Sequence, residues 1–173
     1  MVSSEPGKEL GIMISIIEGD LKYMEDLKEC IHKSVLEQFC FVDKGKIENF
    51  ITEGIERKEI FVAVNEQKDC LGFIRIDWNF AFSGYPLLRT IAVKPLLRGK
   101  GIGTKLLEHF ECLSFKKVEK VFLFVSQSNP KARKLYERKG YFMVGAIPGL
   151  YSKDGIVEIL LMKQKNVVIE YEI

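Results

Sequence analysis

The stretch Arg98-Gly99-Lys100-Gly101-Ile102-Gly103-Thr104 lies between an apolar run, Leu87 to Val93, and a segment in which Ile102, Leu106, Leu107, Phe110 and Leu113 recur at helical spacing. A glycine-rich passage from a strand into a helix constrains the chain on both sides. Glycine admits backbone conformations closed to other residues and lets a ligand come close. The start of the helix adds unpaired N–H groups under a positive partial charge. Such a turn is a place to hold phosphate, so a pyrophosphate-bearing cofactor is expected there.

The rest of the composition narrows the classes. A chain of 173 residues reads as one domain with a real core. A net charge of only +2 supplies no basic field for nucleic acid. No apolar run approaches membrane-spanning length, so no membrane partner is expected. Residues 1–11 read as a loose leader that lacks the basic start and apolar stretch of a signal peptide. Cys30, Cys40, Cys70 and Cys112 form no C-x-x-C pair, and His32 and His109 lie far apart. Reduced thiols, a cytoplasmic location and no metal site are the expectation.

The order of elements predicted along the chain is β-α-α-β-β-β-α-β-α-β-β. Ile12 to Ile17 reads as the first strand. Asp20 is placed to cap a helix carrying Leu21, Met24, Leu27, Ile31 and Val35 on one face. A second helix spans Ile47 to Ile55, with Asp43 a possible cap. Ile60–Val64 and Leu71–Ile76 read as a hairpin across polar Asn65 to Asp69. Asn79 to Pro86 reads as an unusually apolar loop, and Leu87 to Val93 as the fourth strand. Val121 to Val125 has the wholly apolar character of a central strand. Asn129-Pro130 opens a helix that Gly140 ends. Tyr141 to Ala146 and Gly155 to Met162 complete the strands. The expected fold is a mixed α/β sheet with helices on both faces. The domain is placed at residues 12–163. Residues 164–173 form a tail whose alternating Val167, Ile169, Tyr171 and Ile173 suit an added strand or a homodimer edge.

The glycine turn fits some phosphate motifs poorly. A P-loop requires Lys before Ser or Thr, whereas Thr104 precedes Lys105 and the first glycine is misplaced. The dinucleotide fingerprint requires G-x-G-x-x-G near the start of a domain, but Gly99, Gly101 and Gly103 are evenly spaced and follow four strands. A nicotinamide or flavin nucleotide is therefore the minor alternative.

Two blocks fit better. Arg98-x-x-Gly101-x-Gly103 follows a strand ending Ile91-Ala92-Val93-x-Pro95. Asn129-Pro130-x-Ala132-x-x-x-Tyr136-x-x-x-Gly140-Tyr141 comes next, with Tyr in place of the usual final Phe. In order and separation they resemble the GNAT N-acetyltransferase superfamily, and the resemblance extends from about Ile12 to Met162.

The resemblance implies acetyl-CoA as co-substrate, a primary amine as acceptor, and a V-shaped splay between the fourth and fifth strands. Backbone N–H groups of Arg98, Gly99, Lys100, Gly101, Ile102, Gly103 and Thr104 would cradle the pyrophosphate. Ile91, Ala92 and Val93 would pair with the pantetheine arm as an added strand does. Asn129 would hydrogen-bond that arm. Lys100 and Arg133 would either touch phosphate or serve as solvated surface cations. Tyr136 matches the position whose phenol reaches the thioester sulfur and acts as general acid, although its helical face also suits core packing.

Many members of this superfamily carry a glutamate early in the fourth strand as general base. Here that region reads Leu87-Leu88-Arg89-Thr90, without a carboxylate. Asp77 is the nearest candidate, with a turn cap as its competing role. For the acceptor, the residues of interest are Glu37, Gln38, Phe39, Phe41, Asp77, Trp78, Phe80, Phe82 and Tyr85, which either line a pocket or belong to the core. The missing glutamate also admits a CoA-binding module without catalysis.

Overall fold

The computed structural model describes residues 13–34, 37, 44–81, 84–151 and 155–165. Strand β1 (Ser15–Glu18) is followed by a short 3-10 turn (Leu21–Tyr23) and helices α1 (Met24–Ile31) and α2 (Lys44–Glu56). Strands β2 (Ile60–Val64), β3 (Cys70–Ala81) and β4 (Tyr85–Val93) come next. Then follow α3 (Ile102–Ser114), β5 (Lys120–Ser126), α4 (Pro130–Arg138), β6 (Phe142–Pro148) and β7 (Val157–Gln164). This is the predicted order.

The seven strands form one sheet, ordered β1-β2-β3-β4-β5-β7-β6. Its described pairings are antiparallel except that of β4 with β5. Helices cover both faces. On one, Leu106, Leu107 and Phe110 of α3 pack with Ile74, Ile76, Leu88 and Leu123, and Tyr136 of α4 joins them. On the other, Leu27 and Ile31 of α1 and Ile51 of α2 pack with Val62, Phe73 and Ala92. The helical spacing of these apolar residues lets each helix seal one face of the sheet.

Arg75 is a charge inside that second face. Its guanidinium donates to the Glu59 carboxylate at 2.9 Å and to the Phe50 carbonyl at 2.6 Å, and its carbon lies 4.3 Å from the Phe50 ring centroid. A buried cation is tolerated only with partners of this kind; here they bind α2 to β2 and β3.

Some expectations shift. Asp20 does cap the chain start, its Oδ1 accepting from Lys22 N–H at 2.8 Å, but the cap opens a 3-10 turn and Leu21 is 54% exposed. Asn79 to Pro86 is not a loop throughout: β3 runs on to Ala81 and β4 already begins at Tyr85. The reason is aromatic packing, Phe80 on Phe124 at 5.9 Å and Tyr85 on Phe122 at 6.1 Å between centroids. Strand β6 continues to Pro148, and β7 to Gln164, one residue beyond the expected domain boundary. The leader, Val35, Asp43 and the tail from 166 onward lie outside the described residues.

Candidate active site

The parallel pairing of β4 with β5 covers only Leu87↔Phe122 and Leu88↔Leu123. Beyond it β4 continues to Val93 and β5 to Ser126 without pairing each other, so the strands open into a V. A bulge starts the divergence. Arg75 pairs with Thr90 and Ile76 with Leu88, which leaves Arg89 as the extra residue on β4.

The alternation of an antiparallel ladder decides which backbone groups line the opening. Lys94 N–H bonds Leu71 carbonyl at 3.1 Å, so Lys94, Ala92 and Thr90 turn their polar groups toward β3. Ile91 and Val93 turn theirs the other way, toward the gap. Of the three residues expected to present backbone there, two do so. Ala92 is instead bonded into the ladder, its side chain buried against α1 and α2.

The glycine turn closes the top of the same gap. Gly99 (φ 80°) and Gly101 (φ 83°) both take the left-handed conformation, and Gly101 caps α3. A Cβ at either would meet no atom within 4 Å, so the turn is an open cradle that methyl groups would enter. Such a cradle fits a pyrophosphate. Ile102 packs its side chain into the core and leaves only its backbone for the site. Gly103 faces β4: a Cβ at this position would lie 3.9 Å from Ile91 Cδ1 and Val93 Cγ2. Thr104 is half-buried and Lys100 exposed.

The Arg98 side chain has a different task. Nε donates to Val93 carbonyl (3.1 Å), Nη1 to Lys33 carbonyl (2.9 Å), and Nη2 to Cys30 (3.2 Å) and His32 (2.8 Å) carbonyls. It ties the C-terminal end of α1 to the end of β4, where a cation also meets the favourable end of the helix dipole. Only its backbone is left for the turn.

Across the gap, Asn129 caps α4, its Oδ1 accepting from Ala132 N–H at 3.1 Å and its Nδ2 left as donor. Arg133 pairs with Glu137 at 2.8 Å on the same helix. Tyr136 is only 6% exposed and packs edge-on to Tyr141 at 5.9 Å. Burial pushes its phenol up to about 12. It is therefore both a core residue and a protonated donor at neutral pH.

The residues expected near the acceptor are scattered. Asp77 pairs with Leu87 where β4 and β5 are still joined, and its Oδ1 accepts from Asn79 N–H at 3.1 Å, which makes it a local cap. Trp78 lies on the α3 face against Phe61 and donates to Lys58 carbonyl at 3.4 Å, away from the aromatic surface. Tyr85 and Phe80 do lie on the aromatic surface, with Phe122, Phe124 and Tyr151. Phe39, with Gln38, Phe41 and Phe82, lies outside the described residues.

Sequence reasoning missed a polar group at the mouth of the V. Ser126 ends β5 and pairs in register with Glu158 of β7. The Ser126 and Ser128 hydroxyls are 2.8 Å apart, and the Ser126 hydroxyl lies close enough to the Glu158 carboxylate to favour its charged form. Glu158 is 8% exposed, and burial raises its carboxyl above the usual range, partly offset by that hydroxyl. The available signal was a lone acid in the apolar run Val157 to Met162. No cluster of metal-ligating side chains occurs among the described residues.

The profile of the acetyltransferase (GNAT) family matches residues 23–141. The chain belongs to the GNAT acetyltransferase family. No curated protein matches it. Among solved structures, PH1933 from Pyrococcus horikoshii OT3 is 25% identical, with a TM-score of 0.72 over 90% of this chain and 100% of that one. The spermidine N-acetyltransferase SpeG chimera from Vibrio cholerae and hSSAT is 18% identical, with a TM-score of 0.73 over 87% of this chain and 95% of that one. Chaetomium thermophilum Naa20, in complex with a bisubstrate analogue, is 17% identical, with a TM-score of 0.68 over 87% of this chain and 86% of that one. These likenesses share the fold. No described helix is long and apolar enough to cross a membrane.

Proposed function

We propose that this chain transfers the acetyl group of acetyl-CoA to a primary amine, directly, within a ternary complex. The observation that carries the reading is the unpaired edge of β4 beside the open glycine turn. Membership of an acetyltransferase family supports it. So do two structures of the same fold, one named a spermidine N-acetyltransferase and one holding a bisubstrate analogue. The free thiols of Cys30, Cys70 and Cys112 motivate a cytoplasmic setting.

Bound acetyl-CoA supplies an acyl carbon activated as a thioester. The backbone N–H groups of Gly99 to Thr104 hold its phosphates at the start of α3. Ile91 and the Val93 N–H would orient the amide-bearing arm as an added strand does, and Asn129 Nδ2 would bond it from the other wall. An N–H on the β4 edge is the donor for the developing oxyanion. Tyr136 would supply a proton to the sulfur. A phenol near 12 facing a thiol near 8.5 makes outright transfer uphill by about 5 kcal/mol. Tyr136 therefore acts by hydrogen bonding the departing sulfur and relaying a proton, without resting as a tyrosinate.

Calorimetric titration with acetyl-CoA and, separately, with NAD tests the cofactor. One-to-one binding of acetyl-CoA and silence toward NAD is the expected result; no heat with acetyl-CoA overturns the reading. The absence of a carboxylate from Leu87 to Thr90 favours a second reading, a CoA-binding module without turnover. Thiol release with any amine in a panel of polyamines, amino acids and peptides with free N-termini eliminates that module.

A further inference from the structure

Resting on this reading, we infer that Glu158 receives the acceptor amine's proton and positions the amine at the mouth of the β4–β5 opening.

The placement follows from register. In β5, Leu123 and Val125 face α3 and α4, so Phe124 and Ser126 face the opposite side. Glu158 is the register partner of Ser126 and shares that side. The helices on that side, α1 and α2, pack over β2 to β4. Among the described residues, the surface over β5 and β7 carries Phe80, Phe124 and Tyr151, stacked edge to face at 5.9 and 6.4 Å. Glu158 thus stands on β7 beside the last residue of β5, one strand from the gap that β4 leaves as it diverges. Asn129, three residues beyond Ser126, starts the helix on the opposite, cofactor-binding side. The two substrates would enter from opposite faces of the sheet and meet in the gap.

The chemistry of this corner suits an amine. A buried carboxylate needs a partner, and among the described residues Glu158 has beside it only the neutral hydroxyl of Ser126, itself bonded to Ser128. On its face β5 contributes Phe124 and Ser126, with Lys120 at the strand's far end; β6 contributes Gly145 and Ile147; β7 contributes Leu160. Lys120 and, from β4, Arg89 against the Phe50 ring share this side of the sheet, but among the described residues no charged side chain pairs with Glu158. An incoming ammonium supplies the missing charge, and the rings beside it accommodate a cation or its alkyl stem. The expected acceptor is a primary amine on an apolar or aromatic-compatible stem.

The protons balance. The ammonium gives one proton to Glu158. The freed lone pair forms the C–N bond to the thioester carbon while the C–S bond breaks and its electron pair leaves on sulfur. The nitrogen's excess proton reaches sulfur through the Tyr136 hydroxyl, which gives one proton and takes one. The proton on Glu158 passes to solvent, leaving an amide and a thiol.

The test compares wild type with Glu158→Gln and Ser126→Ala, using the best acceptor from the amine panel. Glu158→Gln should cut kcat/KM for the amine at least a hundredfold, abolish the acidic limb of its pH profile, and keep acetyl-CoA affinity within about twofold. Ser126→Ala should shift that limb while retaining turnover. Wild-type turnover with an unchanged Glu158→Gln profile overturns the inference and leaves the acetyltransferase reading intact. Wild-type binding of acetyl-CoA without turnover of any amine overturns both. A Glu158→Gln protein that loses acetyl-CoA binding as well would show a structural role and overturn the inference.

Discussion

Arg98 lies at the head of the glycine-rich motif, yet among the described residues its guanidinium bonds backbone carbonyls of this chain. Removing it as Arg98→Ala deletes four hydrogen bonds, to Val93, Lys33, Cys30 and His32. A bond from a charged donor is worth about 1.5–3 kcal/mol when well sheltered. These lie at an exposed residue and share one side chain, so the sum is far smaller, about 2 kcal/mol, with about 0.5 kcal/mol of that from the end of the α1 dipole. For a chain of this size that corresponds to a fall in Tm of about 4–8 °C. Arg98→Lys should recover little of it, because an ammonium lacks the fork that reaches the separate carbonyls of Cys30, His32 and Lys33 at and just beyond the end of α1. The deficit should change little with salt, since the partners are carbonyls. Thermal melts at two ionic strengths, paired with acetyl-CoA titration, read out both quantities. Affinity should fall less than about tenfold, because the turn's backbone remains. A melt within about 1 °C of wild type together with a hundredfold loss of affinity would refute the strut and make Arg98 a phosphate ligand.

Three further outcomes follow from the same geometry. Gly101→Ala should cost about 1–2 kcal/mol in urea unfolding from its positive φ and lose more than that in acetyl-CoA affinity, whereas Gly103→Ala, with ordinary 3.9 Å contacts, should keep its stability; equal losses at both sites would count against the cradle. Tyr136→Phe should lower kcat about a hundredfold with calorimetric affinity for acetyl-CoA nearly intact, and full activity would remove the phenol from the reaction. Glu158→Gln should be more stable than wild type at neutral pH. The folded carboxyl is raised, so wild type keeps its full stability below the unfolded glutamate range and loses it as pH rises through the folded value; the gap in Tm should vanish near pH 4, and a gap independent of pH would refute the burial argument.

The sequence makes some of this readable and hides the rest, for physical reasons. Helix faces and the core strands are legible because burial imposes a period, as in Leu106, Leu107 and Phe110, or in Val121 to Val125. The glycine turn is legible because Gly99 and Gly101 occupy backbone conformations few residues adopt. The extended arm around Phe80 and Tyr85 is not, because its stability comes from rings on β5 more than thirty residues away in the chain. Arg98 reads as part of the turn because its partners on α1 are backbone carbonyls, which leave no mark on residue identity.

The same contrast explains why the cofactor half of the site is legible and the acceptor half is not. On the proposed reading the cofactor would be held by backbone: N–H groups at a helix start and the edge of β4 that leaves β5. Backbone recognition leaves its trace in the residues that permit the conformation, glycine at the turn and a proline after the strand, and those stand together in the chain. The acceptor, on the inference drawn above, would be met by side chains that only the sheet assembles. Ser126 and Glu158 are separated by Asn129, α4 and β6, and become neighbours only because β7 inserts between β5 and β6. A carboxylate supplied by β7, if it takes the amine's proton, would also make an acid on β4 unnecessary. The bulge puts Arg89 there instead, its guanidinium carbon 5.7 Å from the Phe50 ring centroid. If the missing glutamate meant loss of catalysis, there would be no reason to keep Glu158 buried at a cost to stability. A carboxylate held at such a position is what a fold retains when that group has work to do.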